Sequence, residues 1–387
     1  MVAGEASGDI HGSRLAAEIR RMSPQTVIRG MGGPAMAREG VELLISSSDV
    51  SVVGLTEVLT KLPALRKAMN TLKTFLKKRR PDLIILIDYP EFNLHLSGCA
   101  SRLGIPVLYY ISPQIWAWRK GRIKKIARRV SQMAVILPFE EDFYKKAGIK
   151  VTYVGHPIMD AWPFPVLEAE EDLRLLRPVI GLLPGSRIDE VRRLLPEMLK
   201  AGDILSRRYR DLSFVLPEAD SLPSGLIDSC LKKTSLKVEV IRSGIYQALT
   251  KCHAAIVASG TATLDTAIMA VPMVIVYRVS HLSYIVGRMV IDVPFIGLVN
   301  LVAGEEVAPE LIQGEATASN MAGRIVSLLE DEGLRRRTIE KLGDVRKRLG
   351  TGGASSRTAE IALEMMGRNS IILSSGKTWL QRWETRK

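Results

Sequence analysis

GEASGD (residues 4–9) and ASGTAT (residues 258–263) are the two stretches that decide the fold of this chain. Each is glycine-rich, and each stands where a strand would turn into a helix. At such a turn the first backbone N–H groups of the helix are unpaired and the positive end of its dipole is exposed, which favours an anion. Two such loops in two similar halves predict a ligand held in a cleft between two domains.

Short β-branched runs alternate with helical patterns through both halves, which is typical of parallel sheets covered by helices on both faces. The predicted strands lie at residues 27–30, 83–88, 107–111, 133–137, 151–154, 179–183, 214–216, 238–241, 255–258 and 273–277. The predicted helices lie at 12–22, 63–78, 94–103, 190–208, 243–251 and 263–270. The fold class is therefore α/β, with two doubly wound domains whose ligands are expected at the carboxyl ends of the strands.

The alternation is interrupted at residues 157–178, which hold Pro163, Pro165 and an acidic run, and this segment is the predicted linker. We expect domains at 1–160 and 161–350, followed by a C-terminal helix and basic tail at 351–387. Packing of that helix against the first domain is left open. Only residues 1–3 precede the first loop, so the first strand is expected to be truncated.

Composition narrows the class of protein. The 387 residues are 47% apolar and 25% charged, as in soluble globular proteins, and the formal net charge is +13. Nucleic acid, an anionic membrane surface, a phosphorylated substrate or simply solvated helix faces would each account for that charge. Three widely spaced cysteines argue against disulfides and zinc. The start of the chain lacks the features of a secretory signal, and no apolar run is long enough to span a bilayer, so a cytoplasmic protein is expected.

Two loops of the second half are candidates for binding a diphosphate. In LLPGSR (182–187), Gly185 allows close approach of the backbone, Ser186 follows it, and Arg187 has the fork geometry for a phosphate. An ordinary turn with a surface arginine is the alternative. Ser259, Gly260 and Thr261 offer backbone N–H groups and hydroxyls, although a plain helix cap would explain them too. Asp265 would reach a ribose hydroxyl or serve only as a first-turn acid.

Asp88 is the candidate general base, since it ends an entirely apolar strand, where a charge is costly unless it is used or paired. A structural helix cap is the alternative. Two tryptophans in SPQIWAWR (112–119) would hold an acyl chain or sugar, or simply pack in the core. The chain has no DxD, HExxH, GxSxG or GxxxxGK[ST] motif, which argues against metal-bound nucleotide-sugar, zinc-peptidase, hydrolase and P-loop chemistry.

Taken together, the motifs resemble those of the lipid-A-disaccharide synthase family, glycosyltransferases of Gram-negative outer-membrane lipid (lipopolysaccharide) biosynthesis. The segments that carry the resemblance run in order over most of the chain: AGEASGDIHG (3–12), GMGGPAM (30–36), VVGLTEVL (52–59), IDYPEFN (87–93), YYISPQIWAWR (109–119), LPFE (137–140), VGHP (154–157), LLPGSR (182–187), ASGTATLD (258–265), PMVIVYR (272–278) and GLVNLVAG (297–304).

The resemblance implies a GT-B fold, with the acceptor on the first domain and the UDP-sugar on the second. It implies inverting transfer of a diacylated glucosamine from UDP-2,3-diacylglucosamine to the 6-hydroxyl of 2,3-diacylglucosamine 1-phosphate, without a cofactor or metal. The residues on family positions tied to catalysis or UDP binding are Glu5, Ser7, Asp88, Arg187 and Asn300. The family usually has glutamate where this chain has Asp265. Whether Asp88 or Glu5 is the base is left open.

Acyl-chain substrates imply a membrane surface. The segment 52–69 mixes apolar side chains with lysines and arginines, as does the short 379–383, and an amphipathic element on an anionic bilayer has this composition. We therefore expect a peripheral protein on the inner face of the inner membrane, with no nucleic-acid partner; a homodimer is left open. Surface helix packing is the simpler alternative. The alternative function is that of a UDP-N-acetylglucosamine 2-epimerase, which has the same architecture without lipid substrates.

Overall fold

The computed structural model describes residues 1–50, 57–118, 120–160, 177–242, 244–280, 284–285, 287–288, 291 and 293–367. The chain divides into two compact units, Met1–Ala161 with Thr351–Lys387, and Trp162–Gly350. Much of the predicted linker, the start of the amphipathic segment 52–69 and the whole of 379–383 lie outside the described residues.

Unit one is built on seven parallel strands in the order β3-β2-β1-β4-β5-β6-β7. Its strands are β1 (Val2–Ala3), β2 (Arg29–Gly32), β3 (Glu42–Ser46), β4 (Ile84–Ile87), β5 (Val107–Tyr110), β6 (Gln132–Val135) and β7 (Val151–Tyr153). Its helices are α1 (Ala6–Met22), α2 (Pro34–Arg38), α3 (Glu57–Arg79), α4 (Pro90–Arg102), α5 (Ile123–Arg129) and α6 (Pro138–Lys145), together with α14 (Ala354–Met365).

The centre of this sheet is apolar on both faces, as expected for parallel strands covered by helices. All four residues of β4 and all four of β5 are buried. The two-residue strand β1 lies between β2 and β4, with Val2 opposite both Met31 and Leu86. A short strand thus occupies the middle of the sheet.

Helix α14 packs against α1 in unit one, where Ala354, Ala359 and Ala362 are fully buried in the same core as Leu15. Its first turn is capped by Asp160, whose carboxylate accepts N–H bonds from Gly353, Ala354 and Ser355 at 2.5, 3.1 and 3.3 Å. A carboxylate at this position satisfies donors that a helix start leaves unpaired.

Unit two contains six parallel strands in the order β10-β9-β8-β11-β12-β13. These are β8 (Val179–Leu183), β9 (Ser213–Pro217), β10 (Val238–Ile241), β11 (Ala254–Ala258), β12 (Met273–Tyr277) and β13 (Glu310–Ile312). The helices are α7 (Ile188–Arg208), α8 (Leu226–Leu231), α9 (Ile245–Leu249), α10 (Ala262–Ile268), α11 (Leu298–Ala303), α12 (Ala318–Glu330) and α13 (Glu332–Arg348).

Strand order fixes where each sheet can bind a ligand. In unit one the order reverses between β1 and β4, and in unit two between β8 and β11. In open α/β sheets, ligands bind outside the carboxyl ends of the strands at such a reversal. The predicted fold class, two doubly wound α/β domains, is confirmed. None of the helices in the described part of the chain is long and apolar enough to cross a membrane.

Candidate active site

Asp88 and Glu5 lie at the strand reversal of unit one, because Asp88 follows β4 and Glu5 follows β1 after one intervening glycine. The backbone after β4 is unusual: φ is 45° at Asp88 and 51° at Tyr89. Side chains other than glycine rarely adopt this left-handed conformation, and where they do the strain is often found at functional sites.

Hydrogen bonds hold the backbone of Asp88 in this conformation. Its N–H donates to the Tyr110 carbonyl at 3.1 Å, and its carbonyl accepts from Tyr109 Oη at 2.8 Å and from Asn93 Nδ2 at 2.7 Å. Asn93 is fully buried and also donates to the Ile87 carbonyl. The carboxylate is therefore presented from a rigid support at the end of the strand.

The Asp88 carboxyl group is suited to accept a proton at neutral pH. Burial and, to a lesser extent, the negative charge of Glu5 raise its pKa from an ordinary value of 3.8 to about 6, while the Tyr89 backbone N–H acts in the opposite direction. A base whose pKa lies just below the working pH is mostly ionised yet still basic enough to remove a proton.

The GEASGD loop divides into supporting and exposed residues. A Cβ on Gly4 would overlap the ring of Tyr89, so the close approach of these two segments requires glycine. Asp9 is buried and accepts N–H bonds from Gly33, Ala35 and Met36 at 2.7, 2.9 and 3.0 Å, which caps α2. Glu5 and Ser7 are exposed at the start of α1, and the Glu5 side chain does not cap the helix. Both side chains are therefore accessible to a ligand.

A cavity of about 290 Å³ lies elsewhere in unit one, at the amino ends of the strands, and a second of about 220 Å³ adjoins Asp88. The second is lined by Asp88, Ser112, Gln114, Trp118, Arg122 and Glu140, among others. Of these two cavities, only the second is lined by Asp88, whose backbone is strained. Arg122, which lines the second cavity, pairs with Glu91 at 2.5 Å.

At the reversal of unit two, Gly185, Ser186 and Arg187 follow β8. Gly185 has φ 101°, and a Cβ there would collide with the Glu190 carboxylate, so this turn requires glycine. Ser186 and Arg187 are exposed. Arg187 Nη1 pairs with Glu190 Oε1 at 2.7 Å, while 80% of its side chain is accessible.

The neighbouring loop after β11 presents backbone donors. Within the described residues, the N–H groups of Gly260 and Thr261 have no hydrogen-bond acceptor, and a Cβ on Gly260 would contact nothing within 4 Å. Ser259 is held in place, since its Oγ donates to the Ile296 carbonyl at 3.0 Å. Burial raises the pKa of Asp265 to about 6, opposed by a hydrogen bond with Tyr246. That carboxylate is thus directed to a protein partner in this structure.

Asn300 differs from the other predicted UDP-binding residues because it is fully buried. Its Oδ1 accepts from the N–H groups of Val307 and Ala308 at 2.8 and 3.0 Å, and its Nδ2 donates to the Ala308 carbonyl and to Glu310 Oε1. The side chain has no capacity left for a ligand, so this geometry does not offer the direct contact expected from the sequence.

Glu310 connects Asn300 with the phosphate-type loop. Its two oxygens accept the N–H groups of Ile296 and Gly297, each at 2.8 Å, and the Ile296 carbonyl accepts from Ser259. Glu140 and Asn93 lie within the LPFE and IDYPEFN segments, but no role was predicted for them or for Glu310, because each acts on residues distant along the chain or on backbone groups. In the part of the chain that the structure covers, no cluster of three or more His, Cys, Asp or Glu residues could hold a metal ion.

Sequence comparisons match one family over almost the whole chain. The family model described as LpxB, lipid-A-disaccharide synthetase, matches residues 1–365. A lipid-A-disaccharide synthase of Geobacter metallireducens is 48% identical over 373 residues, which cover 95% of this chain and 97% of the relative. One from Coxiella burnetii is 43% identical over 366 residues, covering 93% and 96%.

Solved structures show the fold at low identity. The calicheamicin glycosyltransferase CalG4 matches with a TM-score of 0.59 at 14% identity, over 95% of this chain and 96% of that one. A UDP-GlcNAc 2-epimerase of Neisseria meningitidis, solved with UDP-GlcNAc, matches with a TM-score of 0.59 at 13% identity, over 92% and 97%. The fold is therefore GT-B, and the likeness to epimerases is one of architecture alone.

Proposed function

The chain belongs to the lipid-A-disaccharide synthase family and is a hexosyltransferase of that family, and we propose that Asp88 is the general base of its reaction. The reaction is the inverting transfer of 2,3-diacylglucosamine from UDP to the 6-hydroxyl of 2,3-diacylglucosamine 1-phosphate. Its products are lipid A disaccharide 1-phosphate and UDP. One observation carries the assignment: a partly buried carboxyl group with a pKa of about 6 stands on a strained backbone at the strand reversal of unit one.

The acceptor step belongs to unit one. The Asp88 carboxylate removes the proton of the acceptor's 6-hydroxyl as that oxygen attacks the anomeric carbon of the donor from the face opposite UDP. The C–O bond to UDP breaks, and its electron pair leaves with the β-phosphate. Glu5 and Ser7, exposed beside Asp88 at the start of α1, contact the acceptor, with Glu5 also keeping the pKa of Asp88 high.

The leaving-group step belongs to unit two. The backbone N–H groups of Gly260 and Thr261, with the Ser259 loop and the Gly185–Ser186 turn, receive the diphosphate. Arg187 exchanges its exposed contact with Glu190 for the phosphate; exposed ion pairs contribute only about 0–1 kcal/mol, so the exchange costs little. Asp265 lies one turn farther along, and to bind a ribose hydroxyl it exchanges its hydrogen bond with Tyr246 for the ligand. Donors fixed in place before reaction stabilise charge as it develops.

A role for Asn300 follows from its burial. Through Glu310 it holds the backbone of Ile296 and Gly297, and the Ile296 carbonyl in turn holds Ser259. We assign Asn300 a positioning role toward the diphosphate loop rather than contact with UDP.

Acylated substrates place the reaction at a membrane surface, and we propose peripheral association with the inner face of the inner membrane. The net charge of +13 favours an anionic bilayer. On α3, Leu62, Arg66 and Lys67 are exposed, while Ala68, Leu72 and Leu76 face the core of unit one. The exposed face thus combines an apolar side chain with cations.

The deciding experiment supplies purified protein with UDP-2,3-diacylglucosamine, with and without 2,3-diacylglucosamine 1-phosphate. We expect UDP release that depends on the acceptor, and a disaccharide phosphate with inverted anomeric configuration by mass spectrometry and NMR. A parallel reaction supplies UDP-N-acetylglucosamine alone. Its interconversion with the 2-epimer, together with no disaccharide in the first reaction, would instead favour the epimerase alternative.

A further inference from the structure

Glu140 is a buried carboxylate whose two oxygens serve different segments. It lies in the first turn of α6 and is 1% exposed. Oε2 accepts the backbone N–H groups of Ile136 and Leu137 at 3.3 and 3.1 Å, as a helix-capping glutamate does. Oε1 accepts from Ser112 Oγ at 2.5 Å and from Trp116 Nε1 at 2.9 Å. Capping accounts for the first oxygen only.

The second oxygen acts on the loop of residues 112–118, which we call the tryptophan loop. It begins after Ile111, whose φ of 62° is rare for a β-branched residue. Besides the bonds to Glu140, Tyr144 Oη donates to the Pro113 carbonyl at 3.3 Å. The ring of Trp116 also packs edge-on against Phe139 at 4.9 Å. The loop is therefore fastened to α6 at several points.

Because the buried residues of the tryptophan loop are held in place, the positions of its exposed side chains are fixed as well. Ser112, Ile115 and Trp116 are buried, whereas Gln114 is exposed and Trp118 is 38% exposed. Both Gln114 and Trp118 line the cavity of about 220 Å³ that also contains Asp88. An amide and an aromatic face are groups that bind sugars, the amide through hydroxyls and the ring through apolar C–H faces.

We infer that Glu140 is a positioning residue for the acceptor sugar: it fixes the tryptophan loop so that Gln114 and Trp118 form a wall of the cavity beside Asp88. The inference rests on the proposed function for the identity of the sugar, but not for the coupling between Glu140 and the loop. Four hydrogen-bond donors contact this carboxylate, two at each oxygen, so both oxygens must be acceptors. A glutamine would turn its NH₂ group toward one pair of them.

The first test uses Glu140→Gln and Ser112→Ala. The matched control is Glu141→Gln, the next residue of α6, whose carboxylate pairs with Lys145 at 3.2 Å at the surface. We expect Glu140→Gln to raise the acceptor KM about tenfold, with a much smaller change in kcat and no change in the Kd of UDP. Ser112→Ala should follow in the same direction, while Glu141→Gln should behave as the unchanged protein.

The second test needs no activity: hydrogen exchange of the tryptophan loop, measured by mass spectrometry on the protein without substrates. Glu140→Gln should accelerate exchange in 112–118 and leave unit two unchanged. Equal exchange in that loop, or acceptor and donor constants that worsen together with a fall in Tm, would overturn the positioning role. If the unchanged protein forms no disaccharide, the proposed function fails, and the exchange result alone still decides whether Glu140 holds the loop.

Discussion

Glu5 and Asp88 follow the neighbouring parallel strands β1 and β4, and the charge of Glu5 adds to burial in raising the pKa of Asp88 to about 6. Two carboxylates at one strand reversal need not have equal roles. Glu5 is exposed, whereas Asp88 is held on a left-handed backbone and largely removed from water. The more buried group binds a proton more tightly, which favours Asp88 over Glu5 as the base.

The rate of transfer should therefore fall as the pH drops through about 6, because protonated Asp88 cannot accept the acceptor's proton. Glu5→Gln removes a charge that raises the pKa of Asp88, so the acid limb of kcat/KM should move to lower pH, whatever happens to the maximal rate. Glu18→Gln, farther along α1 and paired with Arg21 at 2.7 Å, is the control and should leave the limb in place. An acid limb that stays fixed in Glu5→Gln would contradict the coupling.

Asp88→Asn should abolish most turnover, by a factor on the order of 100 or more, and yet stabilise the fold above pH 6. The folded-state pKa of Asp88 lies above its unfolded value of 3.8. Its contribution to stability is therefore fully present below about pH 4 and is lost as the pH rises through about 6. The amide mimics the protonated form and should recover up to about 3 kcal/mol at pH 8.

Urea unfolding at pH 4 and pH 8 measures this difference. The gain of Asp88→Asn over the unchanged protein should be large at pH 8 and small at pH 4. Asp211→Asn, at an exposed site in unit two, should show no such dependence. A variant that is destabilised at both pH values would show that the ionised carboxylate supports the fold rather than straining it.

Some features of the fold and of the candidate site could be predicted from the sequence, because a short run of neighbouring residues determines them. Features that depend on residues far apart along the chain could not. Strands β8, β10 and β12 have the predicted bounds, since each is a short apolar or β-branched run between polar segments. Strands β3 and β13 were missed. β3 is a partly exposed edge strand, and β13 has three residues beginning with a glutamate. Neither has the continuous apolar run that indicates a buried strand.

The candidate site likewise combines residues that a local sequence pattern indicates with residues that only the folded chain brings together. Asp88, Arg187 and Gly260 stand out because each follows an apolar strand, which is a local property. Strand order is not local, and neither is the bond that joins Glu140 to Ser112 across 28 positions.

Helix α4 begins earlier than expected, at Pro90 rather than Leu94, because proline at the first helical position needs no N–H partner.

Arg187→Ala should weaken UDP binding by a factor of about 10 to 150, since a charge-assisted hydrogen bond to phosphate contributes about 1.5–3 kcal/mol. Arg187→Lys should restore only part of the affinity, because an ammonium lacks the two parallel donors of the guanidinium. Titration calorimetry with UDP measures both. Arg192→Ala, at an exposed arginine on helix α7, which follows Arg187, controls for the loss of one charge. Equal Kd values for Arg187→Ala and Arg192→Ala would refute a phosphate contact.

Binding to anionic vesicles should depend on the exposed cations of α3. Each lysine or arginine near an anionic surface contributes about 1 kcal/mol, so reversing Arg66 and Lys67 to glutamate should reduce flotation with phosphatidylglycerol vesicles by at least tenfold. Arg192 and Arg193, both exposed on α7, provide the matched double reversal in unit two. Flotation that is insensitive to salt, or that falls equally in both double variants, would argue against a specific membrane face on α3.

Asn300→Ala should lower both the stability of unit two and its affinity for UDP. The change leaves the buried N–H groups of Val307 and Ala308 without an acceptor, at a cost of about 2–4 kcal/mol, and frees Glu310 to move with the backbone of Ile296 that holds Ser259. Leu328→Ala, in the core of the same unit, serves as a variant of comparable instability outside this network. Calorimetry at a temperature where both variants are folded should show weaker UDP binding for Asn300→Ala only. If both variants bind UDP equally well, Asn300 acts on the fold and not on the diphosphate loop.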